Sequence, residues 1–248
     1  MTITAGRPRV AIAVFPGTWS ERDFAHVAET VLGWEARLVW HTEPNLGSPD
    51  AIVLPGGLAH GDHLRTGAIA RFSPVMAAVE AFAHAGGPVI GSCNGFQVLT
   101  EAGMLPGALL RNDHLEFRCD WQWLRVEHPD SSPAWLGDLA DGEMIRMPIS
   151  HGEGRYIADA ETLDALERDG RVVLRYADAG GSVTADANPN GSERGIAGIV
   201  NERGSVLVLM PHPERAAESE VGGTDGLRLL RSLERWLQQR PAATERRL

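Results

Sequence analysis

The chain runs Pro88-Val89-Ile90-Gly91-Ser92-Cys93-Asn94-Gly95-Phe96-Gln97-Val98-Leu99 at the point that decides its fold. The first three residues form a short apolar run, typical of the end of a buried parallel strand, and the residues after the cysteine follow helical spacing. Gly91 and Gly95 stand two positions either side of Cys93, where a sharp strand-to-helix turn brings chain segments too close for a Cβ atom. This is the nucleophile-elbow pattern, with cysteine in place of serine.

An elbow at Cys93 predicts a reactive thiol. The turn holds the side chain above the edge of the sheet, and the N-terminus of the following helix favours the thiolate. The backbone N–H of Asn94 is then placed to donate to an oxyanion. A buried structural thiol is the commonest fate of a free cysteine, so the Gly-x-Cys-x-Gly run alone leaves both interpretations open.

A histidine and a carboxylate follow a second apolar strand. Leu207 to Met210 runs into Pro211-His212-Pro213-Glu214-Arg215. Because the two prolines favour extended geometry, we expect the chain to stay strand-like through this motif. Side chains two apart on an extended chain point the same way, so Glu214 can orient the His212 ring. The sequence therefore predicts a catalytic triad of Cys93, His212 and Glu214.

Strands and helices alternate along the rest of the chain, which predicts an α/β fold with an open, mostly parallel, doubly wound sheet. Ligands of such sheets bind beyond the carboxyl ends of the strands. We expect a single domain over residues 9–239 between flexible termini, 1–8 and 240–248. The predicted strands cover 9–15, 35–40, 50–54, 88–90, 115–127, 144–149, 171–176, 196–201 and 205–210, and the predicted helices run from Ser20 as N-cap to 32 and over 74–85, 94–102, 162–170 and 226–239.

Two features outside the triad also suggest chemistry. Cys119 lies on an alternating face with aromatic neighbours, and we interpret it as a small core hydrophobe. His151-Gly152-Glu153-Gly154 invites a metal interpretation, but no third ligand has suitable spacing, so no metal site is predicted. Its glycines indicate a loop beside the active cleft. Residues 178–187 are polar and glycine-containing, which predicts a mobile loop.

Composition limits the possible partners. A net charge of -10 and a pI near 5.4 argue against nucleic acid or an anionic membrane as the main partner. Two cysteines do not make a disulfide framework and suit a reduced compartment. We find no run of signal-peptide or membrane-spanning length, so a soluble, cytoplasmic protein is expected.

Nearly the whole chain resembles the class I (triad) glutamine amidotransferases, and in particular the glutaminase subunits of phosphoribosylformylglycinamidine synthase. The elbow and the final His-x-Glu fit any triad amidotransferase, whereas three other runs point to this subunit type. They are Gly67-Ala68-Ile69-Ala70-Arg71-Phe72-Ser73-Pro74, Arg111-Asn112-Asp113 and His151-Gly152-Glu153-Gly154. One stretch departs from the pattern: after Phe15-Pro16-Gly17 the family usually has Ser-Asn-Cys, and this chain has Thr18-Trp19-Ser20.

The resemblance implies a reaction, further site residues and partners. Glutamine would be hydrolysed to glutamate and ammonia, with Gly57 as the second oxyanion donor beside Asn94 and with Gln97 helping to bind glutamine. On the residues alone, Gly57 fits a tight turn and Gln97 an ordinary solvated side chain. A large synthetase subunit would use the ammonia to convert formylglycinamide ribonucleotide to the amidine in purine (IMP) biosynthesis, and a small accessory subunit would complete the complex. ATP and Mg would belong to the synthetase and no cofactor to this chain, which has no Walker-type phosphate loop.

Three other functions are compatible with the elbow. Another triad amidotransferase would deliver ammonia to a different acceptor. A cysteine hydrolase or stress protein would need neither glutamine nor a synthetase. A catalytically silent regulatory or assembly subunit would bind the partner without releasing ammonia, although the complete triad weakens this last alternative.

Overall fold

The computed structural model describes residues 7–239, so the predicted flexibility of 1–6 and 240–248 concerns residues outside it. The strands are β1 (Arg9–Val14), β2 (Glu35–Trp40), β3 (Ala51–Leu54), β4 (Val89–Ser92), β5 (Ala108–Leu110), β6 (Arg118–Val126), β7 (Met144–His151), β8 (Arg155–Ile157), β9 (Val172–Ala177), β10 (Ile196–Val200) and β11 (Val206–Leu209). The α-helices are α1 (Glu21–His26), α2 (Pro74–His84), α3 (Asn94–Glu101), α4 (Pro133–Leu136), α5 (Ala160–Arg168) and α6 (Asp225–Gln239). None of these helices is long and apolar enough to cross a membrane.

Nine of these strands form one sheet in the order β2-β1-β3-β4-β11-β10-β9-β6-β7. The first five pair in parallel, and each later pair is antiparallel. Only β10 and β6 therefore oppose the common direction. The sheet is the predicted open, mostly parallel one, with an antiparallel extension that the strand spacing did not reveal.

Helices cover both faces of the sheet, as the doubly wound pattern requires. One apolar core lies between the sheet and α1, α4 and α6, and includes Phe24, Trp135 and Leu230. The other lies between the sheet and α2, α3 and α5, and includes Phe96. Burial of these side chains is the main favourable contribution to the stability of the sheet.

The antiparallel half of the sheet curls back over the parallel half. In a flat sheet β7 would lie about 19 Å from β11, because four interstrand spacings separate them. Instead, the His212 N–H, just beyond β11, donates to the Pro148 carbonyl in β7 at 2.9 Å. The carboxyl end of β7 consequently meets the carboxyl ends of β4 and β11.

The elbow glycines are required by close packing, as the sequence predicted. A Cβ atom at Gly95 would lie 2.0 Å from the Leu54 carbonyl oxygen. At Gly91 it would lie 2.8 Å from the Gly95 carbonyl carbon. Both approaches are far inside van der Waals contact, so α3 packs against β3 and β4 only because neither residue has a side chain.

The structure corrects two predictions in this part of the fold. Ser20 precedes α1 as predicted, but its hydroxyl makes no cap and instead accepts the Gly56 N–H at 2.9 Å. Cys119 is exposed rather than part of the core. The inward face of β6 is formed by Leu124 and Val126 near its far end, and the strand extends past the core where Cys119 lies.

The backbone also bears on two segments predicted as loops, residues 151–154 and 178–187. Beyond Ile149, β7 continues to His151, so this histidine lies on a strand end and not in a loop. Residues 178–187 form turns without a regular element, and their predicted mobility stays a prediction.

Candidate active site

Cys93 lies at the junction of β4 and α3 in a strained conformation. Its φ of 49° and ψ of -108° place a residue with a Cβ atom in a sparsely populated region, at a cost of about 1–3 kcal/mol. The backbone N–H donates to the Leu209 carbonyl at 2.8 Å, which ties the turn to β11. The sulfur lies 3.6 Å from the Ser150 carbonyl oxygen and can donate to it. The side chain is thus held beneath the end of β7, as expected of an elbow.

His212 and Glu214 form a buried pair beside this thiol. Glu214 Oε1 lies 2.6 Å from His212 Nδ1, and both side chains are almost fully buried. The contact is the predicted one, but the backbone prediction is wrong beyond His212. His212 is extended, whereas Pro213–Arg215 forms a single 3-10 turn. Proline is compatible with the first position of a helical turn as well as with extended chain, so the motif did not decide between them.

The second ring nitrogen of His212 is available to the thiol. Nε2 is buried and has no hydrogen-bond partner among residues 7–239. A Cβ atom at Gly56 would lie 2.6 Å from His212 Cε1 and 3.4 Å from Cys93 Cβ, so ring and thiol share one small space. Burial disfavours the charged ring, but the adjacent Glu214 carboxylate and Cys93 outweigh it and raise the pKa of His212. The site therefore favours a protonated imidazole facing sulfur.

Two backbone donors remain unused near Cys93. Within the described residues, neither the Gly57 N–H nor the Asn94 N–H donates to a protein acceptor. Gly57 packs closely against the loop at residues 17–19, where a Cβ atom on Gly57 would lie 2.7 Å from Thr18 Cα. Trp19 N–H donates to the Gly56 carbonyl at 3.0 Å. The Thr18-Trp19-Ser20 segment, which departs from the family pattern, thus supports the glycine loop.

The Asn94 side chain has a second role that sequence reasoning missed. Its Oδ1 accepts the Ala59 N–H at 3.0 Å, and its Nδ2 donates to Gln97 Oε1 at 2.7 Å. Gln97 Nε2 in turn donates to the Glu153 carbonyl at 2.6 Å. Gln97 is therefore a buried amide and not a solvated side chain: its oxygen and one of its two Nε2 hydrogens have protein partners, and the second hydrogen has none among the described residues. Gln97 fixes α3 to the turn between β7 and β8 that contains Glu153.

His151 is another neighbour whose function the sequence did not indicate. Its Nδ1 lies 3.1 Å from Asn112 Oδ1, and the Asn112 Nδ2 donates to the His151 carbonyl at 3.0 Å. Burial, followed by the nearby charge of His212, lowers the pKa of His151 to about 3. The ring is neutral and structural at ordinary pH. Asn112 belongs to the Arg-Asn-Asp run that carried the family resemblance, but nothing in that run indicates what it holds.

Four of the six predicted site residues line one cleft of about 510 Å³ at the carboxyl ends of the strands, whereas Glu214 and Asn94 are not in its lining and reach it through their contacts with His212 and Gln97. Cys93, His212, Gly57 and Gln97 line it, with further residues from the glycine loop and from the end of β7. Among residues 7–239, no group of three or more His, Cys, Asp or Glu side chains is arranged to hold a metal ion. The chemistry available is that of a thiol, a histidine and backbone donors.

Asp62 is a further acid in the cleft. Burial, assisted by the charge of Glu153, raises its pKa to about 6, although Asn94 Nδ2 donates to it at 3.2 Å. The folded chain therefore binds a proton that the unfolded chain has lost between about pH 4 and pH 6. Its stability falls as the pH rises through this window.

We expect Asp62→Asn to raise the free energy of unfolding at pH 8 by about 1–2 kcal/mol, a value reduced because Asp62 is only partly buried. At about pH 3 both states of the wild type are mostly protonated, so the variant should have almost no effect. Urea unfolding at the two pH values measures this difference. Asp186→Asn, on an exposed loop, is the matched control. An equal effect at both pH values would contradict the assignment.

The fold and the cleft together define a class of protein. Residues 7–223 match the CobB/CobQ-like glutamine amidotransferase domain family. Over 217 residues this match includes both the elbow and the His-x-Glu motif. The chain is a class I, triad-type glutamine amidotransferase.

Individual proteins of high sequence identity show which kind of glutamine amidotransferase the chain is. The phosphoribosylformylglycinamidine synthase subunit PurQ of Thermomicrobium roseum is 56% identical over 225 residues, 91% of this chain and 94% of the relative. The PurQ subunit of Salinibacter ruber is 52% identical, again over 91% of this chain and 95% of the relative. A chain of the PurLQS structure from Thermotoga maritima superposes with a TM-score of 0.81 at 39% identity, covering 93% of this chain and 99% of that one. The chain belongs to the PurQ family.

Proposed function

We propose that the chain is the glutaminase subunit of phosphoribosylformylglycinamidine synthase. It hydrolyses glutamine to glutamate and ammonia and passes the ammonia to a synthetase subunit, which makes formylglycinamidine ribonucleotide in purine biosynthesis. The observation that carries this proposal is the buried Cys93, His212 and Glu214 group beneath a cleft with two unused backbone donors. The PurQ relatives identify the acceptor, since the triad alone would suit any amidotransferase.

The first half of the reaction forms a thioester. His212 takes the Cys93 proton, and the sulfur attacks the side-chain amide carbon of glutamine, with the carbonyl electron pair moving to oxygen. The Gly57 and Asn94 N–H groups stabilise that oxyanion, and Glu214 holds the imidazolium. As the tetrahedral intermediate collapses, His212 Nε2 gives its proton to the nitrogen. The carbon–nitrogen bond breaks and ammonia leaves.

The second half releases glutamate. Water attacks the thioester carbon while His212 accepts one of its protons, and the same two N–H groups stabilise the second oxyanion. The carbon–sulfur bond then breaks, and the sulfur recovers the proton. Gln97 assists by binding glutamine in the cleft. No cofactor of this chain takes part, and the synthetase binds and uses ATP and Mg.

The partners are the large synthetase subunit and the small accessory subunit, in the cytoplasm. In bulk water at neutral pH most of the ammonia would become unreactive ammonium. The complex therefore requires a closed passage from the cleft to the synthetase. The PurLQS structure from Thermotoga maritima supports the assembly of this chain with two further subunits.

The deciding experiment measures ammonia released from glutamine with and without the cognate synthetase, the accessory subunit, ATP, Mg and formylglycinamide ribonucleotide. We expect strong stimulation in the complete mixture, with glutamate and amidine formed in equal amounts. Vigorous hydrolysis that is indifferent to the partners would instead favour a cysteine hydrolase. No ammonia even in the complete mixture would favour a silent subunit.

A further inference from the structure

The Thr18-Trp19-Ser20 segment, which departs from the family pattern, uses two of its three side chains within the fold. The Thr18 hydroxyl accepts the Phe15 N–H at 2.9 Å, and the Ser20 hydroxyl accepts the Gly56 N–H at 2.9 Å. The Trp19 indole is 60% exposed, and its Nε1–H has no hydrogen-bond acceptor among residues 7–239. The indole lines the catalytic cleft and is free to contact a ligand there.

The backbone fixes the point from which this indole extends. The N–H groups of Trp19 and Ser20 both donate to the Gly56 carbonyl, at 3.0 and 3.2 Å. A Cβ atom at Gly57 would lie 2.9 Å from Trp19 N, so the two loops are in direct contact. Because the Gly57 N–H is one of the two unused donors near Cys93, the Trp19 side chain begins beside the position of the substrate amide.

Two carboxylates line the same cleft, and one of them belongs to a loop that packs against the Trp19 loop. Asp62 and Glu153 both line the cleft, and burial together with the charge of Glu153 raises the pKa of Asp62. The Asp62 loop is joined to the Trp19 loop where the His60 N–H donates to the Pro16 carbonyl at 2.6 Å. Since the two negative charges repel each other, a ligand cation near them would be attracted by both.

The zwitterionic head group of an amino acid has the charges that this cleft complements. Arg111 also lines the cleft, lies 3.9 Å from Glu153 and makes no hydrogen bond within residues 7–239, so its guanidinium can donate to a carboxylate. An indole adds a ring face that attracts an ammonium ion, and tryptophan does so more strongly than tyrosine or phenylalanine. The indole and the carboxylates therefore suit one end of such a head group and Arg111 the other.

We propose that Trp19 is a specificity-determining residue of the glutaminase reaction, with its indole face packed against the α-ammonium group of bound glutamine. The inference rests on the proposed function, because that reaction places an amino-acid head group in this cleft while the side-chain amide lies at Cys93. The ammonium group does not change during the reaction. Its contact with Trp19 is therefore equally strong in the ground state and the transition state, and it lowers KM without changing kcat.

Trp19→Leu and Trp19→Phe test this contact, because leucine removes the ring face while phenylalanine keeps a weaker one. In the complete complex we expect KM for glutamine to rise about tenfold in Trp19→Leu and about threefold in Trp19→Phe, with kcat unchanged. A competitive inhibitor without the α-amino group, 4-carbamoylbutanoate, should have the same inhibition constant in the wild type and both variants. Steady-state ammonia release at varied glutamine and inhibitor concentrations measures all three constants.

Trp40→Leu is the matched control, because Trp40 is 44% exposed on β2 and does not line the cleft. Its KM for glutamine should equal that of the wild type. An unchanged KM in Trp19→Leu, or an inhibition constant that rises as much as KM, would overturn the specificity role. A lower kcat at unchanged KM would also overturn it, since Trp19 would then only support Gly57. If the wild-type complex released no ammonia from glutamine, the proposed function would fail and this inference with it.

Discussion

Replacing Cys93 by alanine should reduce glutamine-dependent amidine formation by about 10⁴-fold or more, while amidine formation from added ammonia stays unchanged. The sulfur is the only group at the elbow that can form the thioester, so backbone donors and substrate binding alone would remain. The synthetase does not need this thiol when ammonia is supplied directly. The measurement is amidine formation by the complete complex with each nitrogen source in turn.

Cys119→Ala is the matched control for that variant. Cys119 is the second free cysteine and is exposed on β6, opposite Ser150 in the strand register. Its replacement should leave both rates at the wild-type level. Glutamine use that survives in Cys93→Ala would refute the nucleophile assignment. Loss of the ammonia-dependent rate would mean that the complex had not assembled.

We expect the second large effect from Glu214→Gln, with kcat/KM for glutamine falling by about 10²-fold or more. Glutamine is nearly isosteric and can still accept from His212 Nδ1, which now lies 2.6 Å from Glu214 Oε1. The negative charge that stabilises the buried imidazolium is lost. Burial still disfavours the charged form of His212, and the carboxylate that opposed this effect is gone. The pKa of His212 therefore falls.

The pH profile separates this electrostatic role from a purely structural one. Protonated His212 donates to the leaving nitrogen, so the basic limb of kcat/KM reports the loss of this proton. A lower pKa moves that limb to lower pH in Glu214→Gln. Glu218→Gln is the matched control, since Glu218 pairs with His26 at 2.8 Å on the surface. Reduced activity with an unmoved basic limb would refute the electrostatic role.

The parts of the site set by local geometry could be predicted from the sequence. The glycines of the elbow are explained by clashes that occur within a few residues of Cys93 or with the adjacent strand. The His212 and Glu214 pair needs only a two-residue offset. For this reason the contact was predicted correctly, even though the turn at Pro213 was not. The parallel half of the sheet likewise follows from the alternation of strands and helices.

The remaining features depend on how distant segments meet. Alternation along β6 indicates two faces but not where the core ends, so Cys119 was placed inside. A serine before a helix predicts a cap, but the Ser20 hydroxyl is used by Gly56, thirty-six residues away in the chain. The curl of the sheet, which brings Ser150 to Cys93, is set by pairing and twist across several strands.

The curled sheet makes catalytic competence a late event in folding. The loop at Gly56, the elbow, the end of β7 and His212 come from four separate parts of the chain. Contacts of such long sequence separation form only after much loop-closure entropy has been lost. Secondary structure and collapse can precede them. Recovery of glutaminase activity during refolding therefore reports completion of the whole sheet, and no single segment of the chain carries the site by itself.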